Sequence, residues 1–110
     1  MAGFVKGEVV VIPFPFSDLS GSKKRPELVL CDLEGDDILL CQITSQQTRD
    51  KSAIPILSSD FLSGRFPVSG FIHPLRIFTA DKPIIQRRAV MVKPGVIHSA
   101  IESIVGQLRK

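Results

Sequence analysis

From Pro94 onward the apolar residues follow one spacing. Val96, Ile97, Ala100, Ile101, Ile104, Val105 and Leu108 are separated by intervals that place them along one face of an α-helix. Pro94 suits the first turn, where its missing N–H costs nothing. Glu102, Gln107 and Arg109 carry the polar face, and Gly106 is a mild interior penalty. His98 sits between two stripe residues, beside the polar face, and reads as structural or exposed. Upstream of this helix the chain consists of short apolar runs broken by Gly, Pro, Asp and Ser. A lone amphipathic helix after five or more short strands requires a small, curled antiparallel sheet to cover its apolar face. The expected fold is mainly β with a C-terminal α-helix, in a single domain spanning residues 1–110.

The strands are read from β-branched runs and their punctuation. Glu8 to Phe14 is the first, ended or placed at an edge by Pro13 and Pro15. Glu27 to Asp32 and Ile38 to Thr44 form a hairpin around the Leu33–Asp37 turn. With its centre near Asp36, paired residue numbers sum to roughly 72. Leu28 then lies near Thr44, and Arg25 near Gln47. Ala53 to Leu57 is a fourth strand, followed by a short helical turn from Ser58 through Ser63 that Gly64 stops. Ser69 to Pro74 is a fifth strand, continued by Leu75 to Thr79. After a turn at Asp81-Lys82-Pro83, Ile84, Ile85 and Ala89 to Val92 allow one more.

Between the first two strands, a Ser/Gly loop ends in Lys23, Lys24, Arg25 and Pro26. Pro26 keeps Arg25 out of the helical region. An extended arginine at a loop–strand junction suits a phosphate-facing role, and the same stretch also fits a solvated charge run. The net charge of +3 permits an anionic partner without demanding one. No apolar run is long enough to span a membrane, and the N-terminus lacks the pattern of a secretory signal. Cys31 and Cys41 lie in apolar strands and read as buried free thiols in a reducing cytoplasm.

The inventory of chemical groups is narrow. Two histidines and two cysteines show no metal-ligand spacing, and neither a phosphate-binding glycine loop nor a Gly-x-Ser-x-Gly elbow occurs. What remains is cationic and hydroxylic: Lys23, Lys24, Arg25, Thr44, Ser45, Arg49, Lys51, His73 and Arg76. The hairpin collects Arg25, Thr44, Ser45 and Gln46 in one neighbourhood. Such a set suits phosphodiester binding or cleavage, because RNA carries its own nucleophile in the 2′-OH. For His73 a core or surface role stands beside proton transfer. For Arg76, snorkelling or pairing with an acid stands beside phosphate contact.

Four stretches together resemble the PemK/MazF (Kid) toxins of bacterial toxin–antitoxin systems. They are Gly7-Glu8-Val9-Val10, Lys24-Arg25-Pro26, Gln42-Ile43-Thr44-Ser45-Gln46, and the segment from Gly70 through His73 and Arg76 to Thr79. With the apolar C-terminal helix, the resemblance spans about Gly7 to Leu108. It implies a small SH3-like barrel, usually a homodimer. It also implies a cytoplasmic endoribonuclease that cuts single-stranded RNA without metal or other cofactor. Cleavage would leave a 2′,3′-cyclic phosphate and a 5′-hydroxyl, and a cognate antitoxin would block the site. By this resemblance Arg25 and Thr44 are catalytic, with Ser45 sharing the hydroxyl role if the register is off by one. His73 is the candidate for proton transfer, and Lys23, Lys24, Ser45, Gln46, Arg49, Lys51 and Arg76 are the candidates for RNA binding. Some members place an acidic catalytic partner on the later strand, where this chain reads His73-Pro74-Leu75-Arg76. A non-catalytic RNA-binding relative, or a toxin acting on a protein such as DNA gyrase, are the alternative readings.

Overall fold

Alternating apolar residues can be buried on both faces of a sheet only if each face has its own cover. A computed structural model, which describes residues 3–14, 23–44, 51–63 and 70–110, shows how this is done. The strands are β1 (Glu8–Phe14), β2 (Lys23–Asp32), β3 (Asp37–Thr44), β4 (Ile54–Ile56), β5 (Phe61–Ser63), β6 (Gly70–Asp81) and β7 (Arg87–Val92), followed by α1 (Pro94–Leu108). They form one sheet in the order β4-β6-β3-β2-β1-β7-β5, with every neighbouring pair antiparallel. The sheet curls into a half-barrel. The edges, β4 and β5, are only three residues long, which limits the backbone available for stray pairing.

On one face, Val9, Leu28, Leu30, Cys41, Ile43, Ile72, Val90 and Val92 meet Ile97 and Ala100 of α1. On the other, Val10, Ile12, Val29, Ile38 and Leu40 are covered in part by Phe4, Phe78, Ala80 and Ile85. The helical face is therefore as expected, except at its end. Packing onto the core stops at Ile104, and Leu108 in the last turn is 79% exposed. No helix among the described residues is long and apolar enough to cross a membrane.

Several boundaries differ from those expected. β2 begins at Lys23 because its ladder with β1 runs on to Phe14↔Lys23. Pro26 is tolerated because the ladder with β3 starts only at Glu27↔Gln42, so its missing N–H falls outside that ladder. The helical turn after β4 covers only Ser58–Asp60, where the Asp60 carboxylate accepts the Leu57 N–H at 2.7 Å. Phe61 then pairs with Val92, so the chain extends instead of coiling. Ile84 belongs to a 3-10 turn, Lys82–Ile84, and not to β7. Cys31 is half-buried and Cys41 buried, and both are free.

The hairpin register also shifts. Asp32 pairs with Ile38, which centres the turn on Gly35 at φ +66°. A non-glycine residue would be strained there. A bulge between Val29 and Cys31 takes up one further residue, so Leu28 faces Cys41 and not Thr44. The turn end of the sheet is fastened by Lys82. Its Nζ lies 2.5 Å from Asp32 Oδ1 and donates to the Leu33 and Gly35 carbonyls. The Lys82 hydrogen bond is the main reason the Asp32 carboxyl titrates below its usual range.

Candidate active site

The site lies at the end of the face opposite α1, where the apolar cover gives way to polar side chains. Residues directly opposed across an antiparallel ladder share a face, as do residues two apart on one strand. Glu27 of β2 faces Gln42 of β3, and Gln42 faces His73 of β6. On its other side Glu27 faces Val10 of β1. Val10, Glu27, Gln42 and His73 thus form one row across four strands. In the next row Ile12 faces Arg25, and Thr44 faces Phe71. Carried two residues past the last β2–β3 pair, the same register sets Arg25 opposite Thr44, with strands about 4.8 Å apart. The sequence put Arg25 near Gln47; the shifted turn and the bulge bring it to Thr44.

The three expected catalytic residues, Arg25, Thr44 and His73, are therefore gathered on one face. Arg25 and Thr44 are half-buried, and His73 is 5% exposed. The remaining expected contacts scatter. Lys24 is exposed and occupies the alternate position on β2, on the face opposite Arg25. Lys23 opens β2 opposite Phe14. Lys51 is exposed in the turn before β4, and Arg76 is exposed where β6 bulges between His73 and Ile77. Ser45, Gln46 and Arg49 lie outside the described residues.

The residue that sequence reasoning missed is Glu27. It was visible only as the start of a strand, yet it is wholly buried. Neither carboxylate oxygen makes a close, well-aligned hydrogen bond among the described residues. Burial raises its pKa to about 8, against the weaker lowering influences of the Arg25 charge and the Ile43 amide. The contrast with Glu8 is direct. Glu8 is nearly as buried, but it accepts the Val5 N–H at 2.5 Å and lies 3.5 Å from Arg88 Nε. Buried carboxylates are ordinarily satisfied in that way. Burial, and secondarily Glu27 itself, push the Cys41 thiol to about 12. Cys41 is thus a packed thiol and not a nucleophile. The signal for Glu27 was a single charge opening an otherwise apolar strand, Glu27-Leu28-Val29-Leu30-Cys31.

Taken together, the face offers a guanidinium, a hydroxyl, an imidazole, a carboxamide and a neutral-prone acid. The first four can hold a phosphodiester and move protons around it, while the acid lies enclosed beneath them.

No protein-family model and no curated protein sequence matches the chain. Solved structures do. An endoribonuclease bound to its cognate antitoxin, from a mycobacterial species, superposes with TM-score 0.73 at 16% identity, covering 98% of this chain and 95% of that one. The MazE–MazF complex of Deinococcus radiodurans gives TM-score 0.74 at 16% identity, covering 98% and 97%. The Mycobacterium tuberculosis toxin MazF-mt6 gives 0.71 at 12% identity, covering 93% and 96%. Over nearly its whole length this chain has the fold of the MazF toxins.

Proposed function

We propose that the protein is the endoribonuclease toxin of a toxin–antitoxin pair, cutting single-stranded RNA in the cytoplasm without a metal. The observation that carries this reading is the convergence of Arg25, Thr44 and His73 on one sheet face. The neighbours of the same fold add weight, being endoribonucleases and complexes with an antitoxin.

In the proposed reaction the RNA 2′-OH attacks the adjacent phosphorus. Arg25 holds the non-bridging oxygens, where negative charge builds toward the transition state. The Thr44 hydroxyl donates to the same phosphate. His73 moves a proton, taking it from the 2′-OH or returning it to the departing 5′-oxygen. The P–O5′ bond breaks, leaving a 2′,3′-cyclic phosphate and a 5′-hydroxyl. Incubation of the purified protein with a long single-stranded RNA in EDTA, followed by end-group analysis, tests this. Cyclic-phosphate termini are the expected result, and 3′-hydroxyl termini contradict it.

A second reading draws on the burial of His73. A proton carrier must reach its substrate, and a relative whose imidazole stays buried would bind RNA without cutting it. Salt-dependent RNA binding with no fragments would select that reading.

The antitoxin would cover the same face. The protein is also proposed to be a homodimer, because Leu57, Leu62, Leu75 and Ile77 are exposed near the short edge strands and on β6. Sedimentation at micromolar concentration is expected to give the dimer mass, and a monomer alone would contradict it.

A further inference from the structure

Glu27 has no part in the reaction above, yet it sits within it. It is two residues from Arg25 on the same face of β2 and shares a row with His73. The carboxyl is fully enclosed, so it cannot touch an RNA strand directly. Any influence it has on substrate must pass through a neighbour. Among the described residues, the charged and titratable groups around it are few. β2 supplies Arg25, β6 supplies His73 beyond Gln42, and β3 supplies the Cys41 thiol. β1 presents only Val10. Arg25 is the only fixed charge among them, and it acts on Glu27 electrostatically.

The geometry points to Glu27 as a positioning residue that sets how much of the Arg25 charge is offered to a phosphate. As a neutral acid it does not compete for the guanidinium. As a carboxylate it competes for that guanidinium from beneath, and the RNA is released. The coupling is reciprocal: a phosphate bound at Arg25 repels a carboxylate at Glu27, so RNA binding takes up a proton there. This inference rests on the RNA-binding reading of the face. Burial supports it, because it holds the carboxyl neutral at physiological pH and places its ionisation near 8, just above that range.

The test is RNA affinity against pH at constant salt, since salt alone moves such affinities. The probe is a labelled mixed-sequence pool of 2′-O-methyl RNA, which lacks the nucleophile and so reports binding without cleavage. The unaltered protein is expected to bind roughly tenfold more weakly at about pH 9 than at about pH 7. In Glu27→Gln the alkaline loss is expected to vanish, while affinity at about pH 7 stays unchanged. Glu27→Leu, which also lacks the titration, serves if the glutamine variant does not fold. A flat profile in the unaltered protein, or the same alkaline loss in both proteins, would overturn the role of Glu27 and leave the RNA reading standing. No binding at any pH would overturn the RNA reading and, with it, this one.

Discussion

Glu27→Gln is expected to stabilise the protein at neutral and alkaline pH, by several kcal/mol at about pH 8. The sign follows from proton linkage. Glu27 titrates near 8 when folded and near its ordinary 4.5 when unfolded. Between those values the native state binds more protons than the unfolded state, so stability falls as pH rises. The slope is about 1.4 kcal/mol per pH unit for one group, which amounts to a loss on the order of 3 kcal/mol by pH 7. Above about 8 the loss stops growing, because both states are then ionised. Glutamine fills nearly the same space and has no such slope. The two proteins should therefore match at about pH 4.5 and diverge steadily above it. Urea titrations across that range measure the difference directly, and other titrating groups cancel in it. Parallel curves for the two proteins would mean that Glu27 ionises freely in the folded state.

A cost of that size is a large fraction of the 5–15 kcal/mol that typically holds a domain together. It is carried at one position, where the apolar part of β2 begins. Placing an unsatisfied acid beside the arginine of a candidate phosphate site is the kind of local violation expected where function competes with stability.

What was legible in the sequence and what was not follows from the range of each signal. The α1 stripe is a local pattern, and Ile97 and Ala100 are buried as their spacing requires. The β2–β3 hairpin was legible as a unit, because Gly35 and the surrounding acids mark the turn. Its register was not, since the Val29–Cys31 bulge has no local signature. Arg25 and Thr44 were placed together from the sequence, and the corrected register makes them directly opposed. Phe61 illustrates the reverse error. Ser58-Ser59-Asp60 carries a good capping signal, but pairing with Val92 of a distant strand overrides helical continuation. The burial of Glu27 was illegible for the same reason, although its lone charge at the start of an apolar run was visible. Its burial depends on Val10, Gln42 and His73, which arrive from three other strands.

Arg25→Ala is expected to reduce RNA cleavage by a factor of about 10² to 10³, the range seen when one preorganised donor to a developing oxyanion is removed. Two features argue for the larger value. Arginine presents a planar, bidentate donor pair that no other described residue on this face can replace. It is also held in an extended strand, paired with Ile12, so its geometry is set before RNA arrives. Arg25→Lys should recover part of the loss, because charge returns without the fork. The fold should survive all these changes, since the side chain is half-buried at the rim of the core and not within it.

The most direct test of the account is single-turnover cleavage of a long single-stranded RNA in EDTA by the unaltered protein and by Arg25→Ala, with thermal melting measured on both. The account requires discrete fragments from the unaltered protein, their loss in the variant, and melting within a few degrees of each other. Full cleavage by a folded Arg25→Ala protein would contradict it, and would remove this sheet face as the seat of activity.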